Sequence, residues 1–125
     1  MINVFLFAIV AVLITVISIP DPEKYYVLAQ ETVSIAPGSS NPSATEFYVP
    51  PEITVSVGTT VTWTNDDSTI HTVTEGSPQA AGATPAFDSS IIAPGATWEY
   101  TFDTAGDFDY YCTLHPFMTG KVIVN

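Results

Sequence analysis

The chain has 125 residues, enough for one ordinary domain and too few for a second core beside it. Thirteen acidic residues stand against two lysines and no arginine, a formal charge of −11. Phosphate backbones repel such a chain, which argues against nucleic-acid binding. The charge suits solubility and the steering of a basic partner.

Ile2 to Ile19 is almost unbroken hydrocarbon, interrupted only by Asn3, Thr15 and Ser18. The run is close to the shortest bilayer-spanning helix, about 17 residues. It is slightly longer than the roughly 7–15-residue core of a signal peptide. Val27 and Ala29 supply small residues before a cleavage point at Gln30, yet no lysine or arginine precedes the run. A cleaved signal and a retained membrane anchor both fit, and both place the rest of the chain outside the cytoplasm. The expected division is therefore a hydrophobic helical signal or anchor with a short linker over 1–29, and one domain over 30–125.

From there the pattern is one of short strands and turns. Ile53, Val55 and Val57 alternate with Thr54 and Ser56 before Gly58. Val61 and Trp63 alternate with threonines up to Asn65-Asp66-Asp67. Trp98, Tyr100 and Phe102 alternate after the turn Pro94-Gly95, and Phe108, Tyr110 and Cys112 after Ala105-Gly106. Lys121 to Val124 closes the chain. A period of two marks half-buried strands. The segments 37–45 and 76–85 read as surface loops. No stretch after residue 30 has useful helical periodicity, so the expected fold is an all-β antiparallel sandwich.

Cys112 is the single cysteine, which excludes an intramolecular disulfide and leaves a metal thiolate among the explanations. It opens Cys112-Thr113-Leu114-His115-Pro116-Phe117-Met118, with thiol, imidazole and thioether spaced C-x2-H-x2-M. Soft sulfur ligands with imidazole select copper. The strand alternation points Cys112 inward, so the following loop can fold its ligands onto one point. A second imidazole is needed, and His71 is the only other histidine. Taken singly, Cys112, Met118 and His71 are ordinary core residues. Taken together they form two histidines and a cysteine with an axial methionine, the blue-copper arrangement. Zinc accepts the same His2Cys set, but a methionine is a poor zinc ligand.

These residues carry a resemblance. The chain resembles the cupredoxins, the type 1 blue-copper proteins, and its ligand loop is most like that of the amicyanin- and plastocyanin-like members. The similarity includes Glu52-Ile53-Thr54-Val55, Val61-Thr62-Trp63-Thr64-Asn65, His71, Phe87-Asp88-Ser89, Pro94-Gly95 and Phe108-Asp109-Tyr110-Tyr111-Cys112. It implies a Greek-key β-sandwich of about eight strands over 30–125. It also implies one copper ion, cycling between Cu(I) and Cu(II), on His71, Cys112, His115 and Met118. One position departs: many cupredoxins carry Asn after the first histidine, and this chain has Thr72, whose hydroxyl has a shorter reach. Asp66, Asp67 and Glu75 flank His71; they read as solvated loop charges, with electrostatic support of oxidised copper as the alternative.

The expected function is one-electron transfer outside the cytoplasmic membrane, rather than enzymatic turnover. The expected form is a monomer docking a redox partner, which can be basic, and held to the membrane only if residues 1–29 are retained. Two alternatives stand beside it. One is redox chemistry on a small ligand such as nitric oxide or oxygen at an open copper position. The other is copper storage or delivery.

Overall fold

The computed structural model describes residues 30–80 and 82–125; the hydrophobic segment and linker assigned to 1–29 lie outside the described residues. Eight strands form two four-stranded sheets. They are β1 (Gln30–Ile35), β2 (Tyr48–Val49), β3 (Glu52–Val55), β4 (Thr60–Asn65), β5 (Thr74–Glu75), β6 (Thr97–Thr101), β7 (Gly106–Tyr111) and β8 (Thr119–Val124). The first sheet runs β2-β1-β4-β6 and the second β3-β8-β7-β5. One 3-10 turn, Pro78–Ala80, lies in the loop expected at 76–85. Among the described residues no helix is long and apolar enough to cross a membrane.

The alternation read from the sequence sets the layers. In β4 the threonines at 60, 62 and 64 are half-buried, while Val61, Trp63 and Asn65 are wholly buried. Trp63 is the centre of the core, packed against Trp98, Phe102 and Tyr110. Val55, Tyr110, Cys112, Val122 and Val124 meet it from the second sheet. Each fully buried apolar side chain of this kind contributes roughly 1.5–3 kcal/mol over its exposed state.

The structure corrects three expectations. The sandwich is not purely antiparallel, because β1 pairs parallel with β4 and β3 parallel with β8. Alternation specifies which face a side chain takes, not the direction of the neighbouring strand, and a Greek-key path lays non-consecutive strands side by side. Val57, expected inward with Ile53 and Val55, is 49% exposed. β3 has ended by then, and the Val57 N–H instead closes onto the Asn125 carbonyl. The loop at 37–45 is not wholly at the surface, since Ser39 is fully buried against His71.

Two connections meet at one end of the sandwich. The first leaves β4 at Asn65 and reaches His71, which forms an isolated bridge with Ile92. The second links β7 to β8 through residues 112–118.

Candidate metal centre

Cys112 continues the inward phase of β7 one residue past its end and is fully buried. The chain then turns tightly. The His115 N–H donates to the Cys112 carbonyl at 3.3 Å, the Met118 N–H to the His115 carbonyl at 2.9 Å, and the Cys112 N–H to the Met118 carbonyl at 3.1 Å. These bonds fold Cys112, His115 and Met118 into one compact loop. Met118 is fully buried and His115 half-buried.

His71 arrives from the other connection, also fully buried. Its Nδ1 lies 3.8 Å from the Cys112 sulfur, and His115 Nδ1 lies 3.6 Å from the same atom. All three donor atoms fall within 4.8 Å of one another. An ion about 2.0 Å from each nitrogen and about 2.3 Å from sulfur, in a geometry between tetrahedral and trigonal, needs nitrogen and sulfur about 3.5–3.7 Å apart, close to the spacings found. Both nitrogen–sulfur spacings of the cluster therefore suit a single transition-metal ion. Of the four residues singled out in the sequence, three have donor atoms converging on a point. The fourth, Met118, is buried in the same loop.

The surroundings charge this cluster. Burial alone would push the Cys112 thiol up, but hydrogen bonds from His71, His115 and the Thr72 and Leu114 N–H groups bring it down to about 6. The Thr72 N–H donates to the sulfur at 3.3 Å. Burial would lower the His71 imidazole, yet its contacts with Cys112 and Asp67 outweigh that and hold it above the ordinary value. Without metal, the Cys112 sulfur and the Asp67 carboxylate on the two nitrogens of His71 both favour a proton on the ring. A metal ion displaces it on binding.

Thr72 makes a different connection. Its Oγ1 accepts the Thr113 N–H at 2.9 Å and lies 3.1 Å from Thr74 Oγ1, which donates to Asp88 Oδ1 at 3.1 Å. With the Thr74 proton committed to Asp88, the Thr72 hydroxyl donates to Thr74. The result is a one-way chain from the ligand loop through Thr72 and Thr74 to Asp88. The Tyr48 hydroxyl fixes the same segment by donating to the Thr72 carbonyl at 2.7 Å. A hydroxyl therefore ties the two ligand loops at the position where many cupredoxins carry an amide.

Asp67 overturns the reading of solvated loop charges. Asp66 is exposed as expected, but Asp67 is buried and its Oδ2 lies 2.7 Å from His71 Nε2. Sequence reasoning missed this contact, along with Ser39, Thr74 and Asp88. A spacing of four residues has directional meaning on a helix but none in a loop.

Comparison with known proteins agrees with the geometry. The family described as copper binding proteins, plastocyanin/azurin family, matches residues 33–125. Amicyanin-alpha from Methylorubrum extorquens is 35% identical over 98 residues, 77% of this chain and 81% of that protein. Amicyanin from Paracoccus versutus is 39% identical over 77 residues, 62% of this chain, and the match spans only 57% of its length. Among solved structures, a purple cupredoxin from Nitrosopumilus maritimus superposes with a TM-score of 0.70 at 34% identity, covering 76% of this chain and 99% of that one. A copper(I) form of an amicyanin variant gives 0.61 at 33% identity, covering 77% and 82%. The buried thiolate between two imidazoles, the two-sheet fold and these matches agree: the chain belongs to the copper-binding plastocyanin/azurin family, the cupredoxins, and its cofactor is copper.

Proposed function

We propose that the chain is a one-electron carrier working outside the cytoplasmic membrane, in which His71, Cys112, His115 and Met118 would hold the copper. The observation that carries this reading is the convergence of two imidazoles on a fully buried cysteine sulfur. Copper bound there supplies a reversible Cu(I)/Cu(II) couple with a thiolate ligand. The protein's part is to hold the ligands still, so that neither oxidation state demands rearrangement. Relatives named amicyanin and plastocyanin support the same reading.

The route to the surface is His115, the one half-buried donor of the cluster. Leu114 is 45% exposed, Phe117 36% and Ile70 41%, and each is the chain neighbour of a proposed ligand. An apolar surface of this kind suits brief docking of a redox partner. The acidic charge favours a basic one. Docking as a monomer, and attachment to a membrane through residues 1–29, belong to the same proposal. Neither small-ligand chemistry nor copper storage gains a specific observation.

The test is the visible and paramagnetic-resonance spectrum of the copper-loaded domain. An intense thiolate-to-copper band is expected, abolished in Cys112→Ser. Copper binding without that band, or a band surviving the substitution, overturns the ligand assignment.

A further inference from the structure

The Asp67 carboxylate is more elaborately placed than a loop charge requires. Its side chain is only 4% exposed. Oδ1 accepts the Gly38 N–H at 2.9 Å and the Ser68 N–H at 2.8 Å, while Oδ2 meets His71 Nε2 at 2.7 Å. The Asp67 N–H donates to Asn65 Oδ1 at 3.0 Å. Asn65, fully buried at the end of β4, is itself anchored to the Thr69 and Ile92 carbonyls at 2.9 and 3.0 Å. Ser39 Oγ closes the other side at 3.4 Å from His71 Nε2. Strand end, loop and carboxylate thus form one framework around the far nitrogen of His71.

Apart from the His71 ring itself, Asp67 has no cationic partner among the described residues. Lys121 is the one lysine among the described residues, and it pairs with Asp109. Besides the two backbone N–H groups on Oδ1, the carboxylate faces the imidazole that presents its other nitrogen to the Cys112 sulfur.

We propose that Asp67 is a positioning residue that sets the balance between the two copper oxidation states. It accepts the Nε2 proton of His71, which leaves Nδ1 as the metal-binding nitrogen and fixes the ring. Its charge then acts on the ion through the ring. Oxidised copper with one thiolate carries a net positive charge that the carboxylate neutralises. Reduced copper with the same thiolate is neutral, and the carboxylate leaves the buried site with an excess negative charge. Asp67 therefore favours Cu(II) and lowers the reduction potential. The separation across the ring is about 6–7 Å, and at an effective dielectric near 20 a unit charge at that distance shifts the affinity ratio by at least tenfold.

This inference rests on the copper reading above. Its test is the reduction potential of Asp67→Asn at fixed pH, beside that of the unmodified protein. The expected result is a retained thiolate band with the Cu(I)-to-Cu(II) affinity ratio raised at least tenfold, a potential about 59 mV or more higher for a one-electron couple. A retained band with an unchanged or lower potential overturns it. Should the variant fail to fold, nuclear magnetic resonance of the unmodified protein loaded with Cu(I) decides. A slowly exchanging proton on His71 Nε2 supports the proposal, and a rapidly exchanging or absent one overturns it. An unmodified protein that binds copper without the thiolate band overturns the copper reading and this inference together, whereas an unshifted potential leaves that reading standing.

Discussion

Thr72→Val removes a hydroxyl while nearly preserving side-chain shape, and so isolates the tie between the two ligand loops. In the structure Thr72 Oγ1 accepts the Thr113 N–H at 2.9 Å and hands its own proton on to Thr74 at 3.1 Å. Valine leaves the Thr113 N–H without its partner. Leaving a buried donor unpaired costs about 1–3 kcal/mol. Thr113 is exposed overall, so water can compensate in part, which places the loss near 1 kcal/mol. For a domain of this size that lowers the melting temperature by about 4–8 °C. The Thr72 backbone N–H still donates to the Cys112 sulfur, and the Tyr48 hydroxyl still holds the Thr72 carbonyl. The thiolate band should therefore survive in intensity. The assay is thermal unfolding of the metal-free and copper-loaded variant, with the visible spectrum recorded alongside. Unchanged melting in both forms would show that the hydroxyl bridge contributes nothing. A lost band with unchanged melting would show that Thr72 acts on the metal directly and not through Thr113.

Gly120→Ala should be among the most damaging single-methyl additions, because a Cβ there would overlap Cζ and Oη of Tyr110 and lie 2.8 Å from Cε2. Tyr110 is wedged against Tyr48 and Trp63 with ring centroids at 4.8 and 5.6 Å and cannot move aside, so a loss of about 3 kcal/mol is expected, and a loss below about 1 kcal/mol in denaturant unfolding would refute the packing argument. In the metal-free protein the Cys112 thiolate should titrate near pH 6, well below the ordinary thiol value of about 8.5, as followed by ultraviolet thiolate absorbance. A depressed folded-state value contributes stability above the unfolded-state value, and that contribution of the thiolate to the metal-free form should fade as pH falls from about 8.5 through about 6; a midpoint at or above about 8.5 would contradict the hydrogen-bond pattern around the sulfur.

How much of this was legible in the sequence depends on what kind of pattern carried it. Val61 and Trp63, Trp98 and Tyr100, and Phe108, Tyr110 and Cys112 showed their strands through alternation, and the structure places strands there. β1 went unread because Gln30–Ile35 offers only Val33 and Ile35 as inward residues and directly follows the linker. The parallel pairing of β1 with β4 and of β3 with β8 left no local trace, since partner direction is decided by the path of the whole chain. Of the candidate metal centre, Cys112, His115 and Met118 were visible as a spacing, and His71 followed because it is the one remaining histidine. Thr72 could be identified as a departure, but not the chain it begins, because Thr74 and Asp88 meet only when the loop at 86–90 folds back on β5.

The segment from His71 to Thr74 explains why so few residues can hold this site firmly. In an extended segment successive side chains point to opposite sides. His71 turns toward the Cys112 sulfur on one nitrogen and Asp67 on the other, while Thr72 turns to Thr113. Between them, the Thr72 N–H reaches the sulfur itself. Three consecutive functions therefore come from two residues: an imidazole donor, a hydrogen bond to the thiolate and a tie to the ligand loop. Each is backed from a different part of the fold, by the β4 end through Asn65, by Tyr48 of β2 and by Asp88 beyond β5. If His71 holds copper as proposed, its displacement on a change of copper charge would disturb residues tied to both sheets. Reorganisation is thus restrained by the sandwich as a whole, and the few polar side chains near the metal need only transmit that restraint.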